Sequence, residues 1–332
     1  MSRLAIIGAG SWGTALAIAL APKFREISLW GRDPESMDHM ATCRENSRYL
    51  PGFVLPKNVS PVGDLRLALA DTPIVLSAVP SRYLRGIYGQ IKAHAYPEMR
   101  FVSATKGIES VTIRRMSQVI EEELGPPFRM RVAVLSGPTF AKEIAAGKPA
   151  AVVIAAADAE LASCIQLAFS GPKLRFYTSE DVIGVEIGAA LKNVIAIAAG
   201  ICHGLGLGGN SVAALVTRGL AELTRLAIAL GGKAKTLSGL AGLGDLVLTA
   251  TGDLSRNRYV GLQLAAGKSL DQILGEMEQV AEGIDTCRAA YTLSREAGVS
   301  MPISDAMHEI LYERKPVAVA IRELMERPLT SE

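Results

Sequence analysis

The chain is poor in the residues that mark several common functions. Its 332 residues include four cysteines, Cys43, Cys164, Cys202 and Cys287, far apart and without a C-x-x-C pair. That is too thin a disulfide framework for so long a chain, so the thiols read as free and the expected compartment is the reducing cytoplasm. His39, His94, His203 and His308 are equally scattered, with no H-x-x-x-H spacing, and no metal site is expected. Charge of one sign is also lacking. A formal net charge of +2 argues against a broad nucleic-acid surface, though a few cations could still hold a small anion. Long apolar runs are missing at the start, where residues 4–9 lead straight into glycines and form no cleavable signal. Residues 193–201 are mostly apolar, but Glu186, Lys192 and several glycines interrupt any longer stretch. They read as a buried helix and not as a membrane span.

What is present is material for a large core: 49% apolar residues against 20% charged, on a length suited to two domains. "RLAIIGAG", "EISLWGRD", "TPIVLSAVPS", "RFVSATKG", "MRVAVLSGPT" and "PAAVVIAAA" read as short strands ending in small or polar residues. Helical stretches separate them, beginning with "GTALAIALAPKF". This alternation predicts a doubly wound, mostly parallel sheet covered on both faces, with ligands at the carboxyl ends of its strands. From about residue 181 the texture becomes helical, with Asn210–Ser211 expected to cap one helix and Gly231–Gly232 to end it. The expected fold class is therefore α/β, with a Rossmann-like dinucleotide-binding domain over 1–180. A mainly α-helical domain over 181–332 would carry substrate binding and catalysis.

The dinucleotide reading comes from Gly8-Ala9-Gly10-Ser11-Trp12-Gly13, a G-x-G-x-x-G between a strand and a helix. Gly8 would permit the tight turn, Gly10 would let a pyrophosphate approach the backbone, and Gly13 would let helix and strand pack closely. The helix N-terminus adds unpaired N–H groups and a partial positive charge. At the end of the second strand Arg32 and Asp33 stand side by side. An arginine there accommodates a 2′-phosphate and an acid favours a free ribose hydroxyl. Asp33 could equally cap the helix after Pro34. The pair leans towards NADP(H), with NAD(H) also used.

In the helix expected over 181–200, steps of four give Gly184, Gly188, Lys192, Ala196 and Gly200, which share one face. Mid-helix glycines cost about 1 kcal/mol each relative to alanine, so a close approach must offset them. The approaching group is either another backbone or a ligand. Lys192 is thus either a structural pairing partner or an acid. Partial desolvation would bring an ammonium nearer to proton exchange at neutral pH, as ketone reduction needs: hydride on carbon, proton on oxygen. His203, near the end of the same helix, reads as a surface or capping residue.

The ordered segments "GAGSWGTALA", "NSRYLPG", "SATKGIE", "LSGPTFAKEI", "VEIGAALKNVIAIAAGI", "TLSGLAGLGDLVLT", "SRNRYVG" and "VAEGIDT" resemble the bacterial-type NAD(P)-dependent glycerol-3-phosphate dehydrogenases nearly end to end. The resemblance implies reversible reduction of dihydroxyacetone phosphate to sn-glycerol 3-phosphate, a phospholipid precursor. It implies that Ser11, Trp12 and Arg32 contact the dinucleotide and that Lys106 lies between cofactor and substrate. Gly137 and Thr139 would line the substrate, with Ala141 beside the cofactor. Lys192 would be proton donor and acceptor, and Asp245 would help bind substrate and orient a lysine. Ser255, Arg256 and Asn257 would hold the phosphate, Arg256 also meeting the cofactor, with Val280 and Glu282 on the nicotinamide side. A homodimer is likewise implied. A hydroxyl, a guanidinium and an amide in succession suit a phosphate dianion. Two positions depart from the family pattern: Thr139 stands where many members have serine, and Asp33 where members often have a basic or neutral residue. The competing readings are another β-hydroxyacid-type dehydrogenase, which would want a carboxylate, and a non-catalytic NADPH sensor.

Overall fold

The computed structural model of the chain describes residues 3–277 and 280–328. They fall into two compact units. One holds the described residues up to Lys106 together with Arg114–Glu186, and the other Gly107–Ile113 together with the described residues from Ile187 on.

The first unit is built on an eight-stranded sheet: β1 (Arg3–Ile7), β2 (Glu26–Trp30), β3 (Val59–Val62), β4 (Ile74–Ser77), β5 (Arg100–Ser103), β6 (Val132–Ser136), β7 (Ala150–Ala156) and β8 (Leu174–Ser179). Their order is β3-β2-β1-β4-β5-β6-β7-β8. Every pairing is parallel except β6 with β7. Ile6 pairs with Leu29 on one side and Leu76 on the other, and all three are fully buried, as near-continuous apolar strands of a doubly covered sheet should be. The strand order reverses between β1 and β4, which is where such sheets open a crevice for a ligand. The pattern reading had not marked β3 and β8, the two edges. Pro61 interrupts one, and the other exposes alternate residues, so neither shows a buried apolar run.

In the second unit the principal element is the helix Val182–Gly204. It is long and apolar enough to cross a membrane by composition, yet 89% of its most apolar window is buried inside the protein. Its first turn is anchored within the first unit, where Asp181 Oδ1 accepts from Gly184 N at 2.8 Å. Buried Glu186 accepts from Ser117 N and Oγ at 2.7 and 2.6 Å and pairs with Arg115. The helix expected to begin at Asn210–Ser211 starts earlier, at Gly208, so the cap assignment is corrected. Ser211 Oγ donates instead to Leu207 O at 3.1 Å, one turn back. The same helix ends at Ala229, followed by Gly231 at φ +94°. Glu222 on this helix caps another: it accepts from Ile303 N at 2.7 Å and from Ser304 N and Oγ at 3.2 and 3.1 Å. Burial pushes its carboxyl above the usual range, and these donors oppose the shift.

The glycine stripe packs against protein backbone. An alanine Cβ on Gly188 would lie 2.8 Å from Ala241 O, and one on Gly200 would lie 2.1 Å from Arg258 O. Reciprocally, a Cβ on Gly261 would lie 2.0 Å from Ile197 O. The long helix and the helix Arg256–Ala265 therefore touch backbone to backbone. Gly261→Ala should destabilise the protein by roughly 3 kcal/mol or more, because neither backbone can yield. Gly86→Ala, where a Cβ meets nothing within 4 Å, should leave the thermal midpoint level or higher. Thermal unfolding of the two variants compares them directly.

Candidate active site

In the first unit the glycine turn follows β1 at the switch point. Gly8 has φ +116°, and a Cβ there would sit 2.8 Å from Ala78 O, just past β4. A Cβ on Gly13 would lie 1.9 Å from Gly8 O, so the helix Ser11–Leu20 starts hard against the strand end. Gly10 is different: nothing lies within 4 Å of its would-be Cβ. Of the three, it alone faces open space. Trp12 packs its ring against the core, and its buried Nε1 has no hydrogen-bond partner. Arg32 follows β2, its guanidinium 5.7 Å from the Tyr83 ring centroid. Asp33 occupies the N-cap position of Pro34–Cys43 and takes the Ser36 hydroxyl, which holds its carboxyl below the usual range.

The same unit brings together three further residues that the sequence singled out. Gly137, at φ +149°, offers its carbonyl to Lys106 Nζ at 3.0 Å and to Thr139 Oγ1 at 3.1 Å. A Cβ at Gly137 would lie 3.0 Å from Val152 Cα, so the turn that shapes this group needs glycine. Ala141 opens the helix Ala141–Ala145, which packs against the glycine-turn helix.

The second unit gathers the rest. Lys192 is 5% exposed, with Nζ 2.8 Å from Asp245 Oδ1 and 2.6 Å from Thr249 Oγ1. Thr249 donates to Asp245 O at 2.6 Å and so accepts from the ammonium. Asp245 and Thr249 sit one turn apart on the helix Asp245–Thr251, which is why a single helix supplies both partners. The residue after the lysine belongs to a second set of contacts: Asn193 Oδ1 accepts from Asn257 Nδ2 at 2.9 Å, and Asn257 Oδ1 accepts from Gly283 N at 2.9 Å. Ser255 caps the helix Arg256–Ala265 by accepting from Arg258 N at 3.2 Å. Ser255 and Asn257 are buried while Arg256 between them remains accessible. Neighbouring protein desolvates the Arg256 guanidinium and lowers its pKa, and the Glu282 carboxylate opposes this. Val280 and Glu282 flank Ala281, the N-cap of Glu282–Glu296.

Two family models cover nearly the whole chain. One, described as the N-terminus of NAD-dependent glycerol-3-phosphate dehydrogenase, matches residues 3–162, and its C-terminal counterpart matches 181–322. The chain belongs to the NAD-dependent glycerol-3-phosphate dehydrogenase family. It is 52% identical to the glycerol-3-phosphate dehydrogenase (NAD(P)+) of Koribacter versatilis, over 100% of this chain and 99% of the relative. It is 48% identical to that of Geobacter sulfurreducens, over 99% and 98%. The crystal structure of glycerol-3-phosphate dehydrogenase from Coxiella burnetii superposes with a TM-score of 0.93 at 38% identity, covering 98% of this chain and 99% of that one. D-mandelate dehydrogenase, at 13% identity and a TM-score of 0.61, shares the fold alone.

The dinucleotide that this dehydrogenase family uses fits the residues present. Gly10 leaves room for a pyrophosphate at a helix N-terminus, and the unpartnered Trp12 Nε1 is a donor awaiting an oxygen. Sequence reasoning had missed Thr249, Asn193 and Gly283. Thr249 was discoverable as the i+4 neighbour of Asp245, whereas Asn193 and Gly283 meet Asn257 only through the packing of separate helices. The glycine turn carries its own test. Gly13→Ala should unfold or severely destabilise the protein, since the added carbon overlaps a carbonyl. Gly10→Ala should keep the thermal midpoint within a few degrees yet weaken dinucleotide binding about tenfold or more, read by nicotinamide fluorescence titration.

Proposed function

We propose that the chain catalyses the reversible, NAD(P)H-dependent reduction of dihydroxyacetone phosphate to sn-glycerol 3-phosphate, supplying the glycerol phosphate of phospholipids. The observation that carries this reading is the buried Lys192 ammonium, held by Asp245 and Thr249, with the next residue, Asn193, hydrogen-bonded to Asn257. When bound, the dinucleotide supplies the hydride. The protein's own part is proton delivery and positioning. In reduction Lys192 Nζ gives its proton to the ketone oxygen as the carbonyl carbon becomes tetrahedral; in oxidation Nζ takes the hydroxyl proton back. Asp245 supplies the counter-charge that a buried ammonium requires, and Thr249 limits its rotation.

Arg256 reaches the substrate phosphate, with Ser255 and Asn257 fixing the turn that presents it. The succession of hydroxyl, guanidinium and amide at 255–257 is what favours a phosphorylated ketone over a β-hydroxyacid. A non-catalytic sensor would have no use for an ammonium buried beside an aspartate. Lys106, Gly137 and Thr139 are proposed to line the substrate, Ala141 to lie beside the cofactor, and Val280 and Glu282 to serve the nicotinamide side. A homodimer is proposed on the exposed apolar side chains Leu205, Leu207, Val247 and Leu254 of the helical unit. A cytoplasmic setting is proposed on the four free thiols.

The purified protein should oxidise NADPH only when dihydroxyacetone phosphate is added. In that assay Lys192→Ala should lower kcat about a thousandfold or more while the dinucleotide Kd stays within about twofold. A variant retaining a tenth of the rate would remove Lys192 as the acid. Arg256→Ala should raise KM for dihydroxyacetone phosphate at least about tenfold, the loss expected for a charge-assisted phosphate contact. An unchanged KM would count against the phosphate assignment.

A further inference from the structure

The segment "NSRYLPG" is absorbed by neither the glycine turn nor the lysine site, yet it is fastened to the first of them. Asn46 is 3% exposed, and its Nδ2 donates to Ala9 O at 2.9 Å and to Thr14 Oγ1 at 2.8 Å. Its Oδ1 accepts from Tyr49 N at 3.1 Å. Ala9 lies inside the glycine turn and also touches Gly31, where a Cβ would come within 3.2 Å of the Ala9 methyl. The loop is closed at its neck by the Glu45–Val54 bridge and by Arg44 Nη2 donating to Leu55 O at 3.2 Å. Leu50 and Leu55 are buried beneath it. What this anchored loop turns outward is Arg48, its guanidinium 5.1 Å from the Tyr49 ring centroid.

A second cation arrives from another strand. Tyr83, in the helix Ser81–Ile91 after β4, is 42% exposed and carries two guanidiniums: Arg32 at 5.7 Å and Arg82 at 4.8 Å from its ring centroid. Because β2 and β4 flank β1, the Arg32 and Arg82 segments stand on either side of the glycine turn. Asp33, the acid next to Arg32, is committed to Ser36 at the helix cap. Its carboxyl is held below the usual range first by that hydroxyl and, to a smaller extent, by the charge of Arg48. Arg48 therefore carries its charge on the same side of the glycine turn as Asp33.

We propose that Arg48 and Arg82 join Arg32 in taking the 2′-phosphate of NADP(H), so that cofactor choice rests on three guanidiniums from separate segments set against Asp33. Arg32 and Arg82 are braced on one tyrosine, and Arg48 is braced on another. Planar guanidiniums suit a phosphate dianion because each can donate twice in one plane. This inference rests on the dinucleotide reading of the first unit but not on turnover of any ketone.

The test uses adenosine 2′,5′-bisphosphate and 5′-AMP as probes, titrated calorimetrically into the full chain at fixed ionic strength. The wild type should bind the bisphosphate at least about tenfold more tightly than 5′-AMP. Arg48→Ala and Arg82→Ala should each weaken bisphosphate binding about tenfold while changing 5′-AMP binding less than about twofold. Both side chains are exposed, so thermal midpoints should not move. Equal losses for the two probes, or no loss for either, would overturn the proposal, as would a wild type indifferent to the 2′-phosphate. Failure to reduce dihydroxyacetone phosphate would instead overturn the proposed reaction and leave this binding result standing.

Discussion

The helical unit is organised around one buried ion pair, Lys192 with Asp245. An ammonium out of water needs a partner, and removing either member of such a pair costs about 3–5 kcal/mol. That requirement constrains several helices at once. The helix Val182–Gly204 must bring Lys192 to the start of Asp245–Thr251, and Thr249 must complete the hydrogen bonding one turn further on. The adjacent Asn193 accepts from Asn257, and Asn257 in turn accepts at the N-terminus of Glu282–Glu296. Two sets of polar contacts, joined only by the peptide between Lys192 and Asn193, thus lie within an apolar helical layer.

Glycine is what allows these contacts to be compact. The Lys192 face of the long helix is bare because backbones press on it at Gly188 and Gly200, and Gly261 makes the reciprocal contact. The cost in helix propensity is offset by close packing, which holds charged side chains in one geometry. In the sheet unit glycine works differently at each position. Gly8 and Gly13 are there because protein atoms crowd them, and Gly10 because they do not. The crowding arises where β1 meets β4, so the opening beside Gly10 follows from the strand order.

Much of this was legible in the chain itself. The G-x-G-x-x-G turn, the period-four stripe around Lys192 and the change of texture near residue 181 all depend on local spacing, and the interior strands were marked by their apolar runs. Less visible were β3 and β8, whose edge positions relax the demand for apolar residues, and the antiparallel insertion of β7 beside β6. The start of the helix at Gly208 was misplaced because Asn210 and Ser211 have capping chemistry but lie within the first turn. For the stripe, spacing alone left open whether a ligand or a backbone approached; the carbonyls of Ala241 and Arg258 answer that.

By itself the sequence determined which segments are strands and helices in the interior, that the turn after β1 is built on glycine, and that Lys192 shares a face with residues too small to cover it. These are properties of neighbours along the chain, set by backbone sterics and periodicity. Only the tertiary structure decided that Asp245 and Thr249 are the lysine's partners, that Asn257 turns inward while Arg256 stays accessible, and that Arg82 and Arg32 share the Tyr83 ring. Such pairings join residues far apart in sequence. Burial makes them obligatory, since a polar group removed from water must find its partner wherever the packing places one.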